Sequence, residues 1–365
     1  MAVRKQKKST RASPGVAPAS VDLRSIRERI DEIDARIHGL LNERARFAQQ
    51  VGISKTKDGK AVDFYRPERE AQVLRTALKR NRGPLRDEEI ARLFREIMSA
   101  CLAQQEPLKV AFLGPEGTFT QAAVFKQFGS SVRALPLPEI DEVFHEVEAG
   151  VADFGVVPIE NSTEGTVNHT LDMFLGSPLK ICGEVEMRIH HHLMGRMSGI
   201  PDIKRVCAHP QALAQCRAWL DDHLPDVERV PVASNAEAAR AAAEIYGLGL
   251  LANDIEDRPD NTTRFLVVGR KLFSASGSDK TTLLVSGSAT VESGALFRLL
   301  EPLAKHKVNM TRIESRPSRK RKWDYVFFID IEGHISDKAV ARALGALERR
   351  ASLFKVLGSY PRAIL

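Results

Sequence analysis

Cysteine is scarce and unpatterned. There are four in 365 residues, Cys101, Cys182, Cys207 and Cys216, and none forms a CxxC pair. A disulfide framework is thereby excluded, and a reduced, cytoplasmic protein is expected. No apolar run approaches the roughly 20 residues that span a membrane, and the N-terminus has no apolar core of the secretory kind. There is no GxGxxG and no P-loop, so nothing supports a nucleotide cofactor. No helix-turn-helix is legible, which disfavours transcriptional control. Zinc chemistry is also poorly served. The run His190, His191, His192 would point to alternating faces of a strand, and no acid or thiol lies at zinc-ligand spacing. No metal and no cofactor are expected.

One-sided charge is missing too. The formal net charge is +7, but Arg4, Lys5, Lys7, Lys8 and Arg11 all precede the first acid, Asp22. Without these five the balance is 49 basic against 47 acidic. The excess sits in a Ser-, Ala- and Pro-containing tail, residues 1–20, read as disordered; a short transit peptide is the lesser reading. The basic run at 316–322 beside Trp323 has no aromatic interleaving and reads as a solvated hairpin loop. Neither nucleic acid nor membrane is expected as a partner.

Three textures follow the tail. Leu23, Ile26, Ile30, Ile33, Ile37 and Leu40 recur at spacings of 3 and 4, an a/d seam on a long helix. Pro67 suits a helix start, and Gly83-Pro84 a stop. A third helix is expected from Asp87 to Gln105, so residues 21–107 form an all-helical unit. From 108 to 273 strand-like and helical patches alternate, an α/β pattern in two lobes. After a polar linker at 274–280, residues 281–361 read strand, helix, strand, strand, helix, strand, a ferredoxin-like βαββαβ order.

The helical unit carries cations beside its seam. Arg44 and Lys55 are 11 residues apart and share a helix face, whereas Arg27 lies 17 residues before Arg44, roughly 25 Å along a straight helix. One small anion cannot touch both ends of one helix. Two antiparallel copies paired through the seam could bring Arg27 of one chain near Arg44 of the other. Together with Arg69, Glu70 and Gln105, this pattern resembles the all-helical chorismate mutases. The resemblance implies carboxylate clamps at Arg27 (from the partner chain), Arg44 and Arg69. It also implies Lys55 and Gln105 at the breaking ether oxygen and Glu70 at the substrate hydroxyl. A pericyclic rearrangement needs a compacted substrate and stabilised developing charge, not a general base. Arg66 and Cys101 stand where some members have Asp and Ser.

In the α/β segment, small polar loops repeatedly follow strand-like runs: 114–120, 160–166, His209-Pro-Gln211 and Ser234-Asn235. Such loops offer hydroxyls and helix N-termini to anions, although Thr118 or Ser234 taken singly reads as a helix cap. The most informative of them places Glu160, Asn161, Ser162 and Thr163 directly after the apolar run at 154–157, as a binding loop on a rigid sheet would be placed. With Thr263, Arg264 and Phe265, these motifs in this order resemble the prephenate dehydratases; Ala208 stands where a Ser often precedes the His-Pro-Gln. The resemblance implies a two-lobed fold like the periplasmic binding proteins, with the substrate-binding residues Thr118, Asn161, Ser162, Thr163, His209, Gln211, Thr263, Arg264 and Phe265 around the interlobe cleft. It points to Thr263 as proton donor to the leaving hydroxyl, with a desolvated, protonated Glu160 as the competing acid. For Arg264 a structural ion pair stays open.

The last segment resembles the ACT domain appended to those enzymes, implying phenylalanine bound as feedback inhibitor by Gly294, Ala295, Leu296, Asn309, Glu314 and Ser315; a ligand-free dimerisation module is the alternative. The expectation is therefore a multidomain homodimer, all-α, then two-lobed α/β, then α+β. It would rearrange chorismate to prephenate and then dehydrate prephenate to phenylpyruvate. The rival class is a ligand-sensing regulator that binds metabolites without turnover.

Overall fold

The computed structural model describes residues 22–56, 65–195, 199–246, 249–287, 293–318 and 325–364. The basic tail and residues 319–322 of the basic run, with the adjoining 323 and 324, lie outside the described residues. The chain divides into two compact units, Met1–Phe47 and Ala48–Leu365.

Helix α1 spans Leu23–Thr56. Its seam residues Leu23, Ile26, Ile30, Ile33, Ile37 and Leu40 are all exposed. In the second unit α2 (Pro67–Arg80) begins with proline in its first turn, where a missing N–H costs nothing, and α3 (Asp87–Ala103) begins with Asp87, Glu88 and Glu89 against the positive helix end. α3 stops two residues short of the expected end, so Gln105 falls in the turn beyond it.

The α/β segment runs β1 (Lys109–Leu113), α4 (Phe119–Phe128), β2 (Arg133–Leu137), α5 (Ile140–Glu148), β3 (Phe154–Asn161), β4 (Gly165–Thr166), α6 (Asn168–Gly176) and β5 (Lys180–Arg188). It continues with β6 (Leu193–Gly195), β7 (Arg205–Ala208), α7 (Pro210–Gln215), α8 (Arg217–His223), β8 (Glu228–Pro231), α9 (Asn235–Tyr246), β9 (Gly249–Ala252) and β10 (Thr262–Gly269). Five strands lie in the order β2-β1-β3-β10-β5, with β4 paired to β3. β1 runs parallel to its neighbours, and β10 is antiparallel to both β3 and β5. β10 alternates its apolar residues. Phe265 and Val267 face one core with Phe112, Val124 and Phe154, while Leu266 and Val268 face the other with Val157, Ile159 and Phe174. The chain leaves this sheet after β5 and returns at β10. Between the two it builds a smaller layer from the pairs β6-β9 and β7-β8 around Leu193, Ile203, Cys216, Leu220 and Ile255.

The C-terminal segment is β11 (Asp279–Ser286), α10 (Ala295–Lys305), β12 (Met310–Pro317), β13 (Tyr325–Glu332), α11 (Lys338–Glu348) and β14 (Leu353–Pro361), in the expected βαββαβ order. Its sheet, β12-β13-β11-β14, carries both helices on one face over Leu283, Val285, Ile329 and Ile331. The other face, Leu284, Phe328, Leu357 and Tyr360, joins the core of the α/β segment. At that junction a side-chain carbon on Gly358 would run into the Ile181 carbonyl, so only glycine permits the approach. The expected slack linker at 274–280 is instead tightly organised. Ser276 and Asp279 are buried, Asp279 accepts from the Ser276 and Gly277 N–H groups, and Arg75 of α2 donates to the Ser276 and Ser278 carbonyls.

Candidate functional site

β3 and β10 pair so that Asn161 lies opposite Thr263 and Glu160 opposite Arg264. The register shifts between Arg264 and Phe265. The extra residue this inserts in β3 re-aims its last two side chains, as bulges do beside functional sites. Asn161 therefore joins Thr263 on one side of the sheet, while Glu160 and Arg264 face the C-terminal domain.

On the first side a polar network is closed. Asn161 Oδ1 accepts from the N–H groups of Thr163 and Glu164 at 2.9 and 3.0 Å, which fixes the side chain. Its amide then donates to Thr263 Oγ1 at 2.8 Å and to Asn261 Oδ1 at 2.9 Å. Thr163 Oγ1 also donates to Asn261 Oδ1 at 3.2 Å, and Asn261 donates to Gln215 Oε1 at 3.0 Å. His191 Nε2 is 2.8 Å from the same Gln215 oxygen, so this nitrogen is the protonated one. Ser162 and Thr262 exchange two hydrogen bonds of 2.9 Å, locking the strand end. Thr163, Gln215 and Asn261 line a cavity of 100 Å³. Because Thr263 Oγ1 accepts from an amide, its own proton is available for donation.

The helix-start loops gather around this network. Thr118 caps α4, accepting from Gln121 N at 3.4 Å. His209 Nδ1 accepts from Gln211 N, and His209 N donates to Asn235 Oδ1 at 2.8 Å, which ties two loops together; Gln211 itself is exposed. Gly117, at φ 84°, lies so near Ala236 that a side-chain carbon would approach within 3.2 Å, and Phe119 packs edge-on against His191 at 5.9 Å.

Two expected binding residues and the expected competing acid stand elsewhere. Phe265 is a fully buried core residue, since it follows Thr263 by two on the apolar face. Arg264 is held in the ion pair left open from sequence. Its guanidinium reaches Glu184 at 2.9 Å, Asp330 at 2.6 Å and the Tyr360 hydroxyl at 3.1 Å. Glu160 is neither desolvated nor free: it lies 2.8 Å from Arg312 Nε and its side chain is 39% exposed. The desolvated acid considered from sequence is thus absent at Glu160. Gln215, Asn261 and His191 are not among the site residues expected from sequence, because they meet only through contacts 24 to 100 residues apart. The Gln215 position, four residues after Gln211, gave no motif signal of its own.

In the helical segment Arg27 is exposed and Arg44 half-buried on α1; the Lys55 side chain lies outside the described residues. Arg69 is exposed beside a 450 Å³ groove lined by Val73, Ala77, Ile90 and Phe94. Glu70, about 100° further round the helix, points away from it. It is buried against Arg95 at 3.6 Å and Tyr65, and burial pushes its carboxyl up to about 7. Gln105 Nε2 donates to the Ala48 carbonyl at 2.8 Å, while its Oε1 is buried with no protein partner among the described residues.

In the C-terminal domain Gly294 (φ 77°) opens α10, with Ala295 half-buried and Leu296 exposed. Asn309 and Ser315 are exposed, but Glu314 alternates to the opposite face of β12 and bonds to Thr166 at 3.1 Å. Arg312 and Arg316 share that face, reaching Glu160 and Asp172 at 2.8 Å each.

Three family models match in series: chorismate mutase type II over residues 26–106, prephenate dehydratase over 110–272 and the ACT domain over 292–349. A bifunctional chorismate mutase/prephenate dehydratase of Pseudomonas aeruginosa is 53% identical over 361 residues, covering 94% of this chain and 98% of that protein. The chain belongs to the bifunctional chorismate mutase/prephenate dehydratase family. Among solved structures, a prephenate dehydratase from Arthrobacter aurescens in complex with L-Phe is 39% identical, with a TM-score of 0.65 over 70% of this chain and 90% of that one. A further structure, GqqA, described as a quorum-quenching acylase, is 29% identical, with a TM-score of 0.62 over 70% of this chain and 98% of its own. The family's dehydratase fold thus hosts more than one described chemistry, and function has to be argued from the site.

Proposed function

We propose that the protein converts chorismate to prephenate in its helical segment and prephenate to phenylpyruvate at the Asn161–Thr263 site, with phenylalanine inhibiting through the ACT domain. In the second reaction the ring carboxylate leaves as CO2. Its C–C bonding electrons move into the ring, and the ring hydroxyl leaves as water once it gains a proton. Thr263 supplies that proton. An isolated alcohol is a poor acid, but the Asn161 amide 2.8 Å from Thr263 Oγ1 stabilises negative charge on that oxygen and directs its proton outward. This pair is the observation that carries the reading, and it favours Thr263 over Glu160, whose carboxylate is engaged by Arg312. Asn161, Ser162, Thr163, Thr118, His209 and Gln211 bind or shape the prephenate cleft between two lobes like those of a periplasmic binding protein. Arg44, Lys55, Arg69 and Gln105, with Arg27 of a second copy, hold chorismate; Gln105 serves the ether oxygen only when its Nε2, the donor, turns from the Ala48 carbonyl to the substrate. Glu70 serves this site only if it leaves Arg95. Phenylalanine binds near Gly294, Ala295, Leu296, Asn309 and Ser315, and Glu314 relays its presence toward Thr166.

No helix among the described residues is long and apolar enough to cross a membrane. All four cysteines are free, as in a reducing compartment. Chorismate added to purified protein is expected to yield prephenate and then phenylpyruvate, with phenylalanine slowing the second product. Turnover of neither chorismate nor prephenate by folded protein would refute the reading.

A further inference from the structure

Two short segments connect the large sheet to the smaller layer: residues 189–192 leaving β5 and residues 253–261 entering β10. They run side by side, with Ile189 N bonded to the Asn261 carbonyl at 2.8 Å and Ile255 N to the His191 carbonyl at 2.9 Å. Between them three side chains converge. His190 Nδ1 is 2.8 Å from Glu256 Oε1 and 3.1 Å from Asp254 Oδ1, and the three donor atoms all lie within 4.8 Å of one another. We propose that His190, Asp254 and Glu256 bind one divalent first-row transition cation, of the zinc or manganese class, clamping the two connecting segments together.

Charge and geometry both argue for it. The Glu256 side chain is only 2% exposed, so its carboxylate is largely out of water, with a second carboxylate beside it. Two like charges converging on a single imidazole nitrogen are costly unless a cation balances them. One N–H can donate fully to only one of the two oxygens, whereas a neutral imidazole with two carboxylates offers three donors and a charge of −2, which M²⁺ neutralises. Ligands about 2.0–2.2 Å from such an ion lie roughly 3–3.5 Å apart; the two distances from His190 Nδ1, 2.8 and 3.1 Å, are close to that, and the two carboxylate oxygens lie within 4.8 Å of each other. The remaining contacts are those of a supported ligand set. Glu256 Oε2 accepts from His191 N at 2.9 Å, fixing the carboxylate, and His192 Nδ1 accepts from Asp254 N at 3.3 Å, shaping its loop. Asp254 is 64% exposed, which leaves an entry side. One nitrogen and two carboxylates suit zinc, cobalt or manganese better than calcium, which takes 6–8 oxygens. The adjacency of three histidines misdirects sequence reasoning, since His191 turns to Gln215 and only His190 joins the acids.

The test uses untagged full-length protein, stripped with EDTA, returned to chelator-free buffer and titrated with Co²⁺. One cobalt per chain is expected, with visible absorption that Zn²⁺ abolishes by displacement. His190→Ala and Asp254→Asn should each weaken binding by about tenfold or more. Both side chains are at least 38% exposed, so both variants should fold. Retained binding in Cys207→Ser separates this site from the exposed thiol. No stoichiometric cobalt in the wild type would overturn the proposal, as would unchanged affinity in both variants.

Discussion

Thr263 is held by its neighbour more than by its own strand. Its oxygen takes the Asn161 amide proton, and Asn161 in turn is fixed by two backbone N–H groups. Thr263→Val keeps the shape and removes the proton. Dehydratase kcat should fall by about 10²–10⁴-fold, the range of a lost general acid, while mutase turnover stays within twofold. Thr263→Ser should recover part of the rate, and a Val variant with full kcat would remove Thr263 from the chemistry. Glu70 gives a second test at this scale. Burial lifts its carboxyl to about 7 from 4.5, against the opposing pull of Arg95. The raised value means the folded state holds this proton more tightly than the unfolded chain. The stability it adds is therefore complete below about pH 4.5 and lost as pH rises through about 7. The loss is on the order of 1–3 kcal/mol. Urea unfolding at pH 5 and pH 8 should show a smaller pH difference for Glu70→Gln than for the wild type; equal slopes would mean the proton sits elsewhere. The residues legible in sequence were those in contiguous motifs. Gln215 carried no such signal, because it sits at the end of α7 and meets Asn261 only through the fold of the smaller layer.

At the scale of strands, alternation decides what each residue can reach. The apolar run at 154–157 located β3, and the alternating textures gave the order of the six C-terminal elements, because hydrophobic period and turn residues agree there. The bulge in β3 was not legible, and it alone sends Glu160 to Arg312 while Asn161 meets Thr263. Arg264 is a junction residue because it shares with Leu266 and Val268 the face of β10 toward the C-terminal sheet. It meets Glu184 and Asp330, both nearly inaccessible, across the seam between two sheets. Arg264→Met leaves Asp330 buried beside the Tyr360 hydroxyl without its cation, although Lys280 still reaches Glu184 at 2.9 Å. Unpairing a buried charge typically costs about 3–5 kcal/mol, so the urea midpoint should drop sharply; a shift under about 1 kcal/mol would make the pair peripheral. β12 presents Arg312, Glu314 and Arg316 to the dehydratase domain and Ser315 away from it. With phenylalanine bound on the Ser315 face, as proposed, and the Glu160 loop on the other, this strand would transmit a shift directly. Glu314→Ala is expected to raise the phenylalanine concentration for half-inhibition several-fold with uninhibited activity retained. Unaltered sensitivity would assign Glu314 to packing alone.

For the molecule as a whole, α1 is the part that one chain leaves unfinished. Six aliphatic residues in strict 3-4 spacing stand in water, and burying each fully is worth about 1.5–3 kcal/mol. Arg27 and Arg44 flank that seam 17 residues apart, too far along one helix for a single small dianion. The proposed antiparallel pair of copies would account for both facts, because a two-fold axis would bring residue 27 of one chain toward residue 44 of the other twice over. The arrangement has a consequence that a self-contained site lacks. Arg27→Ala and Arg44→Ala should each abolish mutase activity, yet co-expressed together they form mixed dimers in which one site carries both lesions and the other carries neither. Random pairing makes half the dimers mixed, with one of two sites intact, so about a quarter of wild-type mutase activity should return. Dehydratase activity, which needs neither arginine, reports folded protein in every sample. If the co-expressed pair is as inactive as its parents while dehydratase turnover is normal, each mutase site is built within one chain and the exposed seam has another occupant.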